Sequence, residues 1–444
     1  MIFSSATFLL FWIVIIWASK KYNLNNLLSF GLLGCFFYFF QGYLNFLALF
    51  SIFLTSLSYF YLKRFFYFFL ILSILPLFLF KYIFIVEYIG ITLDKTLIEF
   101  FLQKNIPPGL SFITFSNIAL MVFIKRNIYK YIHPKSILSY LFYFPQLIAG
   151  PIVLPNYLIP QLDNFPKIET KNIKIGFFIF SIGVALKIFI ADQFSIYVDL
   201  TFDELNNKNI EQIIIACLLF SQQIFFDFQG YTLMAIGISK SFGIDLPENF
   251  NAPYLSNSLR DFWRRWHITL SNWIRDFIYI PLGGSKAFKA RIYFNILISM
   301  TLSGIWHGYG LTFVIWGFLH GLTMCIEKFL KNSVKFKINN YLKILFTYLI
   351  ITFFWSIFRV ENIEEWILIF SKDFSVLKEN YNYLIILIIS LFLNYFQKFL
   401  VVKNLEEFFN KLNSKILLSI SITVVTIAII LSKGSSEKFI YFNF

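Results

Sequence analysis

Charge is scarce in this chain. Asp, Glu, Lys and Arg together make up 14% of its 444 residues, where a soluble globular protein devotes about a quarter. With 58% of residues hydrophobic, that shortage excludes an ordinary water-soluble enzyme. Cysteine is nearly absent. Cys35, Cys217 and Cys325 lie far apart among apolar residues, without CxxC or other ligand spacing, so neither a disulfide framework nor a zinc or other metal site is expected. Histidine is almost as rare, with four in all. The 38 basic and 24 acidic residues leave a net charge of +14, yet the bases punctuate apolar runs and form no soluble basic face. Nucleic acid is therefore not an expected partner. Pairs such as Lys20-Lys21, Lys63-Arg64 and Lys125-Arg126 follow apolar segments, where positive-inside logic makes them cytoplasmic anchors against anionic lipid.

What is abundant is apolar and aromatic: aromatics reach 21%, with 61 Phe. Apolar runs predict helices near 3–19, 27–40, 43–62, 65–86, 109–124, 137–154, 174–192, 211–227, 290–306, 309–330, 341–358, 382–400 and 415–432. That is about 11–13 membrane segments. The reading is an all-α polytopic membrane protein with the bilayer as partner. It forms a single domain over 1–444, with a core at about 109–330. The first segment lacks a basic flank before it and reads as a retained helix, not a cleaved leader. The polar stretches 163–174, 200–211, 361–381 and 402–415 read as loops.

One region does not fit simple spanning. Between 245 and 288, Asp245, Glu248, Arg260, Asp261, Arg264, Arg265, Arg275, Asp276 and Lys286 interleave with Phe262, Trp263, Trp266, Trp273 and Phe277. Charges at lipid depth cost a few kcal/mol each, so this segment is expected to be interfacial or to enter a protein-lined cavity. Asn257 or Ser258 can cap its helix, with Asp261 near the positive end. Pro281-Leu282-Gly283-Gly284 ends it with a turn, and its tryptophans are expected at head-group level. Arg260 and Arg264, four apart, share a helical face. With Arg265 they suit phosphate recognition, whether of coenzyme A or of lipid.

Two histidines carry the chemical argument: His267, closing Arg260 to His267, and His307, in Ser303-Gly304-Ile305-Trp306-His307-Gly308. A buried imidazole tends to stay neutral, and the neutral form is what a general base requires. Gly304, Gly308 and Gly310 let backbone or substrate approach closely, and Trp306 can wall an apolar passage. By position alone, His307 reads equally as a base or as a helix-end histidine bonded to a carbonyl. His320 reads either as lining the same cavity or as a satisfied structural residue, and His133 reads as a loop residue. Asp227, an acid inside an apolar run, calls for a partner and is either structural or orienting. Asp192 near Lys187 reads as an interface ion pair. A transporter with a histidine proton relay is the alternative from another class.

Several blocks, in order along the chain, carry a resemblance. They are Phe144-Pro145-Gln146-Leu147-Ile148-Ala149-Gly150-Pro151-Ile152 and Asp227-Phe228-Gln229-Gly230-Tyr231. Asn249 to Tyr254 then runs through Asp261-Phe262-Trp263-Arg264-Arg265-Trp266-His267 to Tyr279-Ile280-Pro281-Leu282-Gly283-Gly284. Trp306-His307-Gly308, Trp316-Gly317-Phe318-Leu319-His320-Gly321 and the terminal Phe439 to Phe444 complete the set. From about Gly109 onward the chain resembles the membrane-bound O-acyltransferase (MBOAT) family. The branch is that of the alginate and peptidoglycan O-acetyltransferases, favoured by the Tyr279–Gly284 block over the branch that D-alanylates teichoic acids.

The resemblance implies an MBOAT-type helical bundle with re-entrant or interfacial helices and a central transmembrane tunnel, in the bacterial cytoplasmic (inner) membrane. It implies His307 as principal catalytic histidine and His267 as a second. Arg260, Arg264, Arg265, Trp263, Trp266, Trp306, Asp227 and His320 are the accompanying substrate or donor residues. No tightly bound cofactor is implied. The implied donor is acetyl-CoA, and the acetyl group passes outward to an extracytoplasmic acetyltransferase partner and a glycan acceptor. That acceptor is expected to be peptidoglycan, with alginate or another exopolysaccharide as the alternative. The chain departs from the family pattern at Phe123, Leu154, Gln229 and Thr232, which bears on substrate or partner more than on reaction class.

Overall fold

A computed structural model describes residues 3, 6–22, 34–35, 43–83, 107–129, 131–147, 150–308, 310–333, 339–378 and 381–432. The expected helix 27–40, apart from residues 34–35, and the terminal block 439–444 lie outside the described residues. No strand occurs among those described, in keeping with the all-α expectation. In chain order the principal helices begin with α1 (Ala6–Tyr22), α2 (Tyr43–Tyr61), α3 (Phe66–Lys81), α4 (Leu110–Lys125), α5 (Pro134–Leu141) and α6 (Pro155–Asp163). The long α7 (Thr170–Phe202) and α8 (Ile210–Ser241) follow. Then come α9 (Leu259–Trp263), α10 (Ile268–Ile274), α11 (Lys289–His307), α12 (Leu311–Ser333) and α13 (Asn340–Arg359). The chain continues with α14 (Ile363–Phe370), α15 (Asn382–Phe396), α16 (Val402–Lys411) and α17 (Ser414–Leu431).

Six described helices are long and apolar enough to cross a bilayer: Lys63–Lys81, Thr170–Phe202, Ile210–Ser241, Leu311–Leu330, Asn340–Arg359 and Ser414–Leu431. Shorter apolar helices occupy Phe46–Tyr61, Leu110–Lys125 and Asn382–Phe396. Three sequence expectations need correction. The run 137–154 is not one helix, because α5 stops at Leu141 and the next long element is α6. Pro145 and the Gly150-Pro151 pair interrupt it, proline having no N–H to continue a helix. The run 211–227 extends without a break to Ser241. The stretches 361–381 and 402–415, expected as loops, contain α14 and α16, capped respectively by Asn362 and preceded by Val401.

The chain divides into two compact units: residues 1–180 with 234–247, and residues 181–233 with 248–444. In the first, Asn117 of α4 joins α2 and α3. Its Nδ2 donates to Ser73 Oγ (2.7 Å) and Thr55 Oγ1 (3.2 Å), and its Oδ1 accepts from Ser56. Such interhelical hydrogen bonds supply the association that apolar burial cannot provide in lipid. His133 caps α5 through Nδ1, which accepts from Lys135 N–H at 3.1 Å, so it is a structural loop residue.

The second unit holds a buried polar core. Lys187 Nζ lies 2.6 Å from Asp192 Oδ1 and 2.8 Å from Asp227 Oδ1, all three side chains at most 13% exposed. Asp227 thus has its partner, and Asp192, expected as an interface residue, is largely buried beside it. Residues 186–191 form a π-helical turn, the wider winding on which Lys187 sits. Nearby, Tyr254 donates to Ser221 O (2.6 Å) and accepts from Trp355 Nε1 (3.0 Å). Gln222 Nε2 meets both Tyr348 Oη (2.9 Å) and Asn394 Oδ1 (3.0 Å).

The helices α11 and α12 form a close hairpin. A side-chain carbon on Gly304 would collide with the carbonyl oxygen of Phe313, and one on Gly317 with that of Met300. Only glycine at both positions lets the two backbones approach so closely.

Candidate active site

All the histidines singled out on chemical grounds fall in the second unit. His307 is the last residue of α11 and is 4% exposed. His320 lies in the middle of α12 and is fully buried. His267 joins α9 to α10 in a left-handed conformation, φ 40° and ψ 55°. For a side chain with a Cβ that conformation costs roughly 1–3 kcal/mol and persists only where surroundings enforce it.

Aromatic rings link the three. Trp306 lies 6.4 Å from the His267 ring and 4.7 Å from that of His307, centroid to centroid. Trp316 lies 5.2 Å from His307 and 4.7 Å from His320. Trp263 completes the series, 5.1 Å from His320 and donating its Nε1–H to His320 Nδ1 at 3.3 Å. That bond puts the proton of neutral His320 on Nε2.

Burial pushes the His267 imidazole well below its ordinary value, to about 3, because no counter-charge offsets its desolvation. It is neutral at physiological pH and therefore carries one N–H donor and one lone pair. Neither ring nitrogen has a hydrogen-bond partner among the described residues. Phe228 packs edge-on against the ring at 4.6 Å.

Beside this series opens a cavity of about 1040 Å³. Its cationic lining comprises Arg260, Arg264, Arg275, Lys328 and Lys343, against the single acid Glu327. Glu327 is engaged elsewhere, its carboxylate accepting from the backbone N–H groups of Leu259 (2.7 Å) and Arg260 (3.3 Å) at the start of α9. Ser258 caps the same helix by accepting from Asp261 N–H. Trp263, Ser299, Met300 and Ser303 form further wall. Ser299, Ser303 and His307 are spaced by four along α11 and so share one face, which brings the cavity lining within one turn of His307. The hydroxyls of Ser299 and Ser303 are buried without a hydrogen-bond partner among the described residues.

The structure thus brings together Arg260, Arg264, Trp263, His320, Trp306, His307 and His267. It separates Arg265, whose Nε pairs with Asp261 Oδ1 at 3.0 Å and which is not part of the cavity wall. Trp266 is 1% exposed and Trp263 and Trp273 are also buried, so the expectation of head-group tryptophans needs correction. Trp266 stacks on Phe262 (5.4 Å, 22°) and contacts Trp355 (5.1 Å). The aromatic content of this segment builds a core and not an interfacial belt. Arg275, Lys328 and Lys343 were missed as cavity residues. Arg275 stands beside the motif, but nothing in the spacing connects it with cations 53 and 68 residues further on.

The profile of the membrane-bound O-acyltransferase family (MBOAT) matches residues 116–363, more than half the chain. The chain belongs to this family, and its all-helical, multi-helix architecture is that of a membrane protein. It is 41% identical over 227 residues to a peptidoglycan O-acetyltransferase of Helicobacter pylori, covering 50% of this chain and 43% of that protein. It is 37% identical over 260 residues to a probable alginate O-acetylase AlgI of Pseudomonas aeruginosa, covering 58% and 50%. A teichoic acid D-alanyltransferase of Bacillus subtilis is 30% identical over 243 residues, covering 52% and 61%. The alignments span about half the length of these curated relatives.

Proposed function

We propose that this protein is a membrane-bound O-acetyltransferase. It takes acetyl from acetyl-CoA at the cytoplasmic face and passes it across the membrane for O-acetylation of an extracytoplasmic glycan. The observation that carries the reading is the proximity of a cation-lined cavity to a buried histidine. The wall bearing Arg260, Arg264, Arg275, Lys328 and Lys343 continues through Ser299 and Ser303 to within one turn of His307. Phosphates suit the cations, and the positive-inside rule assigns a cationic end to the cytoplasm. The host is then the bacterial inner membrane, and the whole chain acts as one domain.

In this reading His307 accepts the proton of the acceptor hydroxyl as its oxygen bonds to the acetyl carbonyl carbon. The C–S bond breaks, and the departing thiolate takes the proton from the imidazolium, releasing coenzyme A. Neutral His267 offers its N–H to the oxyanion that develops on the carbonyl. Trp306 spaces the two imidazoles, while Trp263 lines the cavity and is linked to His307 through His320 and Trp316. Arg265, Trp266 and Asp227 support the site from behind.

Peptidoglycan is the favoured acceptor, supported by the Helicobacter pylori relative, with an extracytoplasmic acetyltransferase as partner. An exopolysaccharide acceptor is the second reading, supported by the similarity to alginate O-acetylases. The test is incubation of the purified protein with acetyl-labelled coenzyme A, followed by glycan mass analysis of a deletion strain. Release or transfer of label that depends on His307, with loss of glycan O-acetyl groups, is expected. Equal label release by wild type and His307→Ala would overturn the assignment.

A further inference from the structure

The left-handed backbone at His267 has a local cause. Residues 249–251 run alongside 265–269. Asn251 N–H donates to Arg265 O (3.0 Å) on one side of His267, and Ile268 N–H donates to Asn249 O (2.9 Å) on the other. The Asn249 side chain adds a second tie to the same turn, its Oδ1 accepting from Thr269 Oγ1–H at 2.6 Å. Its Nδ2 donates to Thr232 Oγ1 on α8 at 3.3 Å. Thr232 lies one turn beyond Phe228, the residue whose ring packs edge-on against His267. Asn249 is fully buried, and both halves of its amide are used.

One amide therefore fixes the start of α10 to the face of α8 that contacts the imidazole. The ring nitrogens of His267 hold no hydrogen bond to another described residue, so no polar contact of its own aims the ring. Its direction is set by the backbone on which it stands and by Phe228.

We infer that Asn249 is a positioning residue. Through Thr269 and Thr232 it holds His267 in the left-handed turn and aims its imidazole toward Trp306 and the reacting group. The inference rests on the role proposed above for His267. A polar clamp buried this completely can otherwise serve stability alone, and the two roles differ in what they change. A positioning role lowers kcat and leaves the donor KM in place, since the cationic cavity is built from other segments. A purely structural role lowers the fraction of folded protein and leaves the kinetics of the remainder unchanged.

The experiment compares wild type with Asn249→Ala, Asn249→Asp, Thr269→Val, Thr269→Ser, His267→Ala and the double variant Asn249→Ala/His267→Ala. Each is purified in detergent, its folded fraction measured by thermal unfolding, and acetyl-CoA turnover expressed per folded molecule. Displacement of a reacting group by about 1 Å costs on the order of 10²-fold. Asn249→Ala and Thr269→Val are expected to lose up to about that factor in kcat with KM for acetyl-CoA within about twofold. Thr269→Ser, which keeps the hydroxyl, is expected near wild type. Asn249→Asp keeps the acceptor for Thr269 and is expected between wild type and Asn249→Ala. The double variant is expected to be no slower than His267→Ala alone, because Asn249 acts through His267.

Wild-type kcat per folded molecule in Asn249→Ala, with His267→Ala impaired, would overturn this inference and leave the His267 role standing. Wild-type kcat in His267→Ala would overturn the His267 role itself. If Asn249→Ala does not fold, the Thr269→Val and Thr269→Ser pair decides, and equal kcat in the two overturns the clamp.

Discussion

Trp316 packs edge-on against His307, their ring centroids 5.2 Å apart and their planes at 87°. Trp316 is itself fully buried and stacks on Trp355 at 5.6 Å. The imidazole at the end of α11 is thus braced by a ring from α12, which a helix-end histidine without a task does not need. If His307 is the general base, His307→Ala should reduce kcat by about 10²–10⁴-fold, with thermal unfolding close to wild type. Turnover of labelled acetyl-CoA, normalised to folded protein, measures this.

The cavity cations separate into groups with different expected effects. Arg264→Ala should raise KM for acetyl-CoA by roughly 10-fold or more, the scale of a lost charge-assisted hydrogen bond, and Arg275→Ala should raise it less, its guanidinium being held by Asp276 at 2.7 and 3.0 Å. Arg265→Ala should leave that KM within about twofold, because its guanidinium is engaged by Asp261 outside the cavity. Steady-state kinetics over a salt series checks both, with the KM of the wild type rising with ionic strength.

Neutral, buried His267 makes stability depend on pH with a defined sign. Its folded value lies near 3, below the ordinary value of about 6.5 for an unfolded chain. Between those values the unfolded state binds more protons, so stability falls as pH falls through this window. The contribution amounts to about 2 kcal/mol at pH 5 relative to neutral pH. Thermal unfolding at pH 5 and pH 7.5 should show a smaller acid-induced drop in His267→Gln than in wild type.

The ion cluster on α7 and α8 gives a stability prediction. Lys187→Met would leave Asp192 and Asp227 buried together without their shared cation. Removing one partner of a buried pair costs about 3–5 kcal/mol, so the variant should show a strongly lowered unfolding midpoint. The milder Asp192→Asn, made at the most exposed member, should lower it less.

Much of this was legible in the sequence. Apolar length alone located most described helices, and the rarity of histidine directed attention to His267, His307 and His320. The rest depends on distant partners. Asp227 calls for a partner in sequence, but its neutralising lysine stands 40 residues earlier and no spacing names it. Trp263 and Trp266 looked interfacial because charges flank them. Asp261 engages Arg265 and Glu327 receives the helix start, which leaves the indoles to pack inward. The role of Asn249 needs three partners from two other segments, Ile268 and Thr269 on one and Thr232 on the other, and no spacing rule joins them.

The glycine crossing of α11 and α12 sets more than a close approach. His307 stands three residues past Gly304 and His320 three residues past Gly317, on helices that run in opposite directions from the crossing. The α-carbons of the two histidines therefore lie on opposite sides of it, about 9 Å apart along the hairpin axis at 1.5 Å per residue. Trp316, one residue before Gly317, fills that interval. The interval is a ruler cut in main chain, which no rotamer change can lengthen. Gly317→Ala would force the gauge open against Met300, so it should disturb His307 and His320 together even though it touches neither.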